Sequence, residues 1–207
     1  MLTETVAAIL LSICVGCFFS VNLYNILKFK TRSGVKVYAE VQRPSAFSVG
    51  LAAVGTGIYF LEVFLYLILV FTELILMLRG FPFYFQFPFM VYVQILGLVL
   101  TLLGFFLFIW SVISRGRYAA SWEMSEDHKL VTWGPYRHMR HPSYLGYFLM
   151  FLGFFLLWTN LFTLIPLFAI PGYYRVTSDE ERLLIKRFGD EYVEYQKKTG
   201  KFIPKLR

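Results

Sequence analysis

Three long apolar runs constrain the fold of this chain more than any other part of its sequence. They cover Thr5 to Leu27, most of Ala46 to Leu78, and Phe89 to Ile113. A helix of roughly 20 apolar residues crosses the hydrocarbon layer of a bilayer, and it satisfies its own backbone hydrogen bonds there. With 57% hydrophobic residues, the chain is also too apolar for a soluble domain of its size. The sequence therefore predicts an all-α, polytopic membrane protein.

A fourth apolar stretch, Ser143 to Tyr174, predicts a different arrangement. It is interrupted near its middle by Trp158-Thr-Asn160, and it carries Pro166 and Pro171 in its second half. We interpret it as a tight helical hairpin whose two arms are short for a membrane span, so that tilt or bilayer thinning is needed. The predicted total is five transmembrane helices, the last two forming this hairpin, followed by a cytoplasmic C-terminal helix.

The C-terminal segment is strongly charged, and its local signals predict where its helices begin. Ser178 and Glu181 have the spacing of a capping box, which predicts a helix starting at Ser178. Gly189 predicts a break before a second short helix, with Asp190 as its cap. Lys and Arg cluster in the loops after the first and third helices and in the tail. The positive-inside rule therefore predicts an outside N-terminus, with the catalytic loops and the C-terminus in the cytoplasm.

The sequence predicts neither a nucleic-acid partner nor a metal site. Basic cytoplasmic loops beside anionic lipid headgroups explain the net charge of +7, so no nucleic-acid partner is predicted. No metal site is predicted either, because His138 and His141 lack accompanying cysteines or a dense carboxylate cluster. The expected surroundings are membrane lipids, and the sequence leaves the oligomeric state open.

The polar turn from Gly134 to Gly146 is the place where chemistry is expected. His141 and Pro142 start a helix there, and the free N–H groups of a helix start bind carboxylates and other anions. The small Gly146 is predicted to leave space for a flat ligand. From these residues alone, the turn fits equally well a basic anchor to lipid headgroups or a site for a ligand with a carboxylate and an aromatic base.

Four motifs follow one another in and around this turn and beyond the hairpin. They are His128-Lys-Leu-Val131, Gly134-Pro-Tyr-Arg137, Arg140-His-Pro-Ser-Tyr144 and Glu180-Glu-x-x-Leu-x-x-x-Phe-Gly-Asp-Glu-Tyr192. In order and spacing they resemble the isoprenylcysteine carboxyl methyltransferase family, which consists of integral membrane enzymes that use S-adenosylmethionine. The resemblance covers roughly residues 117 to 205. It implies one domain over residues 1–207, in which 1–115 form three transmembrane helices and 116–207 form the cofactor-binding and catalytic region.

The resemblance also implies roles for individual residues. The cofactor S-adenosylmethionine would contact His128, Lys129, Leu130 and Val131 along its adenosine, Tyr136 on the ring, His141, Pro142, Ser143 and Tyr144 at the methionine moiety, and Glu180 at the ammonium group. Arg175 and Glu180 are the implied catalytic residues, with Arg175 binding the substrate carboxylate. The family places this arginine four residues before the glutamate, which is Val176 here, so Arg175 lies one residue early.

The leading hypothesis is a methyltransferase that acts on the carboxylate of a lipophilic substrate. That substrate would be an isoprenylated cysteine or an isoprenoid-like acid, and it would enter from the bilayer. An alternative is N-methylation of a phospholipid amino headgroup, with His138 or Glu181 as the base that accepts the amine proton. Two further alternatives are an NADPH-dependent enzyme resembling sterol reductases and a membrane scaffold without enzymatic activity.

Overall fold

The computed structural model describes residues 4–30, 44–78, 80–116, 118 and 128–205 of the chain. Within these ranges the structure is helical and contains no β-strand, only two isolated bridges. The α-helices are α1 Glu4–Lys30, α2 Ala46–Phe71, α3 Ile75–Leu78, α4 Met90–Arg115, α5 Pro142–Leu157, α6 Ala169–Phe188 and α7 Asp190–Lys198. Two 3₁₀ helices span Gly134–Arg137 and Phe162–Phe168.

The long helices follow the predicted apolar runs. In the described part of the chain, three helices are long and apolar enough to cross a membrane, namely α1, α2 and α4. Helix α5 is apolar as well, but it has only 16 residues. The prediction of an integral membrane protein with three N-terminal spans therefore agrees with the structure.

The break inside the fourth apolar stretch falls where the sequence predicts it. Helix α5 ends at Leu157, and the Asn160 side chain accepts hydrogen bonds from the backbone N–H groups of Phe162 and Thr163 at 3.0 and 3.3 Å. These bonds start the following 3₁₀ helix. The two arms do not pack mainly on each other, because α5 lies against α4 whereas α6 lies against α2.

The predicted helix start at Ser178 is wrong. Helix α6 is continuous through this position, and the Ser178 hydroxyl donates to the Tyr174 carbonyl oxygen at 3.1 Å, as serines inside helices do. The apolar second arm and the charged segment thus form one helix, whose composition changes without a structural break. The break at Gly189 is confirmed, with φ of 55°, but Gly189 itself precedes α7 and Asp190 is not its cap.

Helices α4 and α5 touch along a row of glycines, which are Gly97, Gly104, Gly146 and Gly153. A Cβ atom on Gly104 would lie 2.7 Å from the Gly146 carbonyl oxygen, and a Cβ atom on Gly146 would lie 2.9 Å from the Gly104 carbonyl oxygen. Small residues let membrane helices approach to backbone contact. The prediction that Gly146 leaves space for a ligand is therefore wrong, since the α4 backbone occupies that space.

Buried aromatic rings join the other helices to this pair. Phe18 of α1 packs on Phe108 of α4 with ring centroids 4.6 Å apart, and Tyr59 of α2 packs on Phe151 of α5 at 5.2 Å. Such rings contribute both large contact areas and preferred ring geometries. The bundle thereby fixes the start of α5 against the end of α4, which is where the polar turn lies.

Candidate active site

A pocket lies where the apolar helices end. Its walls come from the end of α4, residues 128–131, the 3₁₀ helix Gly134–Arg137, the start of α5, and helices α6 and α7. Together with its mouth it encloses about 550 Å³, which is within the usual range for sites that hold a small molecule. Most of the residues predicted from the sequence line it, namely His128, Lys129, Leu130, Val131, Tyr136, His141, Ser143, Tyr144 and Glu180.

Two predicted site residues lie outside the lining. Pro142 is buried as the first residue of α5, where it holds the helix start and does not face the pocket. Arg175 is exposed, and it is not among the residues that line the pocket. Its role as the substrate-carboxylate binder stays a prediction.

Other lining residues were not predicted from the sequence. They are Arg115, Tyr118, Arg140, Leu184, Tyr192 and Tyr195. Arg115 ends an apolar span, where an arginine is ordinarily interpreted as an anchor to headgroups. Arg140 was visible within the Arg-His-Pro-Ser-Tyr motif, whereas only the folded chain brings Tyr192 and Tyr195 next to it.

The turn before α5, at Trp133 and Gly134, packs on the last turn of α4. Gly134 has φ of 60°, which favours glycine, and a Cβ atom there would collide with the Ser114 side chain. The Trp133 indole N–H donates to the Ser114 carbonyl oxygen at 2.7 Å. These contacts bring Tyr136 and Arg115 to the same wall of the pocket.

The C-terminal segment closes the opposite side through Arg140. Its guanidinium donates to the Glu181 carboxylate at 2.7 Å and to the Thr199 and Gln196 carbonyl oxygens at 2.6 and 3.2 Å. The side chains of Arg140 and Glu181 are only 12% and 14% exposed, so this ion pair is shielded from water. We refer to Arg140, Glu181, Gln196 and Thr199 as the C-terminal closure.

Backbone contacts extend the closure along the chain. The His141 N–H donates to the Lys201 carbonyl oxygen at 3.1 Å, and the Tyr195 hydroxyl donates to the Tyr136 carbonyl oxygen at 2.7 Å. The tail after α7 therefore covers the segment that leads into α5.

Two adjacent carboxylates of α6 lie on either side of the His141 ring, and they differ in their partners. Glu181 is 3.1 Å from His141 Nε2, while Glu180 is 3.6 Å from Nδ1 and accepts the Tyr144 hydroxyl at 2.7 Å. Burial lowers the pKa of His141 despite Glu181, which keeps the ring neutral near pH 7. The ring thus separates the two carboxylates without supplying a cation to either.

The pKa values of the two carboxylates diverge accordingly. Burial opposes ionisation of Glu181, but the hydrogen bonds from His141 and Arg140 outweigh it and lower its pKa to about 2. Burial raises the pKa of Glu180 to about 7, against the Tyr144 hydrogen bond and the charge of Arg115. Glu180 is therefore a buried carboxylate that lacks a directly bonded cation among the described residues.

The α5 start supplies the complementary charge. The first hydrogen bond of this helix runs from the Leu145 N–H to the His141 carbonyl oxygen, so the N–H groups of Ser143 and Tyr144 precede it. Such N–H groups favour an anion. A ligand that carries an ammonium group and a carboxylate, such as an amino acid moiety, has matching partners in Glu180 and this helix start.

The sequence of the chain is similar to that of a known class of membrane enzymes. The family model described as phospholipid methyltransferase matches residues 92–191, which run from α4 into α7. The curated Protein-S-isoprenylcysteine O-methyltransferase of Schizosaccharomyces pombe is 35% identical over 141 residues, covering 65% of this chain and 58% of that protein. The same-named protein of Saccharomyces cerevisiae is 33% identical over 117 residues, covering 53% and 48%.

The folded chain also resembles a solved structure. This is the eukaryotic intramembrane Ras methyltransferase called isoprenylcysteine carboxyl methyltransferase, with a TM-score of 0.50 and 23% identity over 92% of this chain and 66% of that one. The likeness concerns the fold. The chain is therefore similar to isoprenylcysteine methyltransferases in sequence, which agrees with the resemblance that its motifs indicated. It spans less than two thirds of the length of the curated relatives it matches, 58% and 48% for the two yeast proteins.

Proposed function

We propose that this chain transfers the methyl group of S-adenosylmethionine to the carboxylate of a lipophilic substrate. The substrate would be an isoprenylated cysteine or a similar isoprenoid acid that enters sideways from the bilayer. The observation that carries the proposal is the pocket at the end of the spans, in which buried Glu180 lacks a directly bonded cation and faces a helix start with free N–H groups. The curated relatives bear the name of this activity.

The residues present suit the proposed cofactor. Glu180 would hold its ammonium group, and Ser143 and Tyr144 would hold its carboxylate through their N–H groups. The segment 128–131 with Tyr136 would contact the adenosine. When bound, S-adenosylmethionine supplies a methyl group on a sulfonium, whose carbon–sulfur bond breaks as the bond to the acceptor oxygen forms, leaving an ester and a neutral thioether.

The protein has little acid or base chemistry to perform in this reaction. The acceptor carboxylate is already ionised, and no proton is transferred. The chain would bind the two reactants side by side, and such orientation is worth up to about 7 to 11 kcal/mol in favourable cases. The Glu180 role implied by the family is part of the proposal, and Arg175, which is exposed and outside the pocket lining, is the acceptor-carboxylate binder that the family implies as an alternative.

The proposed membrane arrangement has five spans, with an outside N-terminus and a cytoplasmic pocket. Helix α5 and the 3₁₀ helix followed by the apolar part of α6 would supply the last two spans beyond α1, α2 and α4. The basic loops on one side support this orientation. In a chain whose Cys14 and Cys17 are replaced by alanine, Lys198→Cys on the exposed face of α7 should react with a membrane-impermeant maleimide only from the cytoplasmic side, and labelling from the outside would reverse the topology.

The function is tested with the purified full chain in detergent. We expect calorimetry to show binding of S-adenosylhomocysteine and none of NADPH. We further expect tritium transfer from labelled S-adenosylmethionine to N-acetyl-S-farnesylcysteine, but not to its methyl ester, in which the acceptor oxygen is blocked. Binding of NADPH without S-adenosylhomocysteine would contradict the proposal and favour the reductase hypothesis.

A second candidate is N-methylation of a phospholipid amino headgroup, which the description of the matching family model favours. That reaction needs a base to accept the amine proton. Glu181 is a poor base with a pKa of about 2, and His138 is exposed and outside the pocket lining. Tritium transfer to phosphatidylethanolamine vesicles, with none to the farnesylcysteine acid, would establish this candidate instead.

A further inference from the structure

We propose that Arg115 binds the carboxylate of the methyl acceptor. The proposal rests on the function proposed above and names the residue that would select an acid over a neutral or cationic acceptor. Arg115 is the last residue of α4, a candidate membrane span, and it lines the pocket. Its guanidinium thus lies where the hydrocarbon-facing helices meet the polar site.

The surroundings of Arg115 leave its charge available. Its side chain is partly buried, and its charge acts on Tyr136, Tyr144, Tyr147 and Glu180. No hydrogen bond or ion pair joins its guanidinium to another group in the described part of the chain. A guanidinium presents a planar fork of donors that matches a carboxylate, and a partly buried one gains from such a partner.

The position of Arg115 favours the acceptor over the cofactor as its ligand. Arg115 is the last residue of the apolar helix α4, which packs along α5, so it lies on the side of the pocket next to the membrane-spanning helices. A lipophilic acid entering from the bilayer brings its carboxylate to this side of the pocket. The cofactor carboxylate already has the N–H groups at the start of α5, next to Glu180.

No arginine on α6 faces the pocket beside Glu180. Residues four apart share a helix face, and the position four before Glu180 is Val176, which is buried and apolar. Arg175 is exposed instead. Of the Lys and Arg side chains that line the pocket, Arg140 is bonded to Glu181 and Lys129 is exposed, which leaves Arg115 of α4 as the partly buried cation for an incoming carboxylate. The same charge would repel a cationic amino headgroup.

The test measures binding of acceptor analogues in the absence of any methyl donor. The ligands are N-acetyl-S-farnesylcysteine and its methyl ester, which differ only in the carboxylate charge. We expect the wild-type chain to bind the acid about 10- to 100-fold more tightly than the ester, as for a charge-assisted bidentate pair. Arg115→Ala should abolish this preference, and Arg115→Lys should restore part of it because it keeps the charge and loses the fork.

Control variants and a second ligand pair separate the possible causes. Arg182→Ala removes an arginine whose side chain is 76% exposed, so it should leave the acid preference intact. S-adenosylhomocysteine should bind Arg115→Ala as tightly as wild type, which also shows that the variant is folded. A selective loss of S-adenosylhomocysteine affinity, with that of 5′-methylthioadenosine kept, would assign Arg115 to the cofactor carboxylate and overturn the proposal.

The outcomes for this inference and for the proposed function are distinct. If the wild-type chain binds neither S-adenosylhomocysteine nor the farnesylcysteine acid, the proposed function fails. If it binds both but Arg115→Ala keeps the full acid preference, only the role of Arg115 fails. Loss of the preference in Arg175→Ala alone would transfer the role to Arg175, as the family pattern implies.

Discussion

The interface between α4 and α5 and the C-terminal closure hold the same helix start in place by opposite means. Along the interface, glycines remove side chains so that two backbones meet, with Gly104 and Gly146 against each other's carbonyl oxygens. In the closure, the long charged side chains of Arg140 and Glu181 pair with each other, and Arg140 also donates to the Thr199 carbonyl oxygen. Lipid tails are as apolar as the helix surfaces, so membrane helices gain from close packing, whereas beyond the bilayer a buried charge gains from its partners.

The two regions are therefore sensitive to different kinds of substitution. Added side-chain volume should disrupt the interface between α4 and α5, whereas removal of a charged partner should disrupt the C-terminal closure. The two regions meet at the start of α5, so the pocket depends on both. Each of the following experiments disturbs one side of this comparison.

The largest effect is expected from adding volume to the interface. Gly104→Leu would place a side chain where even a Cβ atom would lie 2.7 Å from the Gly146 carbonyl oxygen, and backbone atoms cannot move aside cheaply. We expect loss of monodisperse protein in size-exclusion chromatography. Gly57→Leu is the matched control, since nothing lies within 4 Å of a Cβ atom there. Normal yield of Gly104→Leu would contradict the backbone contact.

Removing a partner from the closure should have the next largest effect. Arg140→Ala removes the charged partner of the Glu181 carboxylate and the donor to the carbonyl oxygens of Gln196 and Thr199. Breaking a buried pair in this way costs about 3 to 5 kcal/mol, and the partial exposure here reduces the loss to about 2 to 3 kcal/mol. A thermal unfolding scan in detergent measures it. Lys197→Ala, which breaks an exposed pair with Glu194, should leave the melting temperature unchanged.

The two neighbouring carboxylates allow a sharper separation of structure from binding. Glu180→Gln should weaken S-adenosylhomocysteine binding about 10- to 100-fold, because the ammonium group loses its charged partner, and it should not lower the melting temperature. Glu181→Gln should do the reverse, lowering the melting temperature through the lost pair with Arg140. Calorimetry and unfolding scans on both variants measure this. Equal losses of stability would show that Glu180 belongs to the closure.

The smallest effect concerns pH. With a Glu180 pKa of about 7, the free carboxyl is largely protonated below neutrality, whereas the ammonium group requires its ionised form. Affinity for S-adenosylhomocysteine should therefore rise about tenfold between about pH 6 and pH 8, with release of a proton. Glu181 stays ionised over this window, because its pKa is about 2. The same slope in Glu180→Gln would exclude Glu180 as its source.

In the unliganded chain, the contributions of the two carboxylates to the free energy of unfolding should change in opposite directions as the pH rises. Glu180 has a raised pKa in the folded chain, so its contribution is present below about pH 4.5 and is lost as the pH rises through about 7. Glu181 has a lowered pKa, so its contribution is present above about pH 4.5 and is lost as the pH falls towards about 2. The free energy of unfolding of Glu180→Gln and of Glu181→Gln, measured as a function of pH, separates the two contributions.

Much of the fold follows from the sequence because hydrophobic runs of membrane length have few alternatives. The bounds of α1, α2 and α4 differ little from the predicted runs, and the break at Trp158 to Asn160 was visible as polar residues in an apolar stretch. The helix start at Ser178 was mispredicted because a capping box is a local signal. Helix α6 packs on α2 before this position, at Ala169 and Gly172, and buries Glu180 after it, so it runs through Ser178 without a break.

The membrane class, the resemblance to the methyltransferase family and most of the pocket wall could be predicted from the sequence, because these depend on local composition and on motifs in fixed order. The folded structure was needed to show that Arg115 of a distant helix lines the same pocket as Glu180, that Arg175 lies outside the lining, and that Gly146 packs on α4 instead of lining a cavity. These facts depend on which helix faces meet. Contact between residues far apart in the chain is set by packing over the whole bundle and not by any single segment.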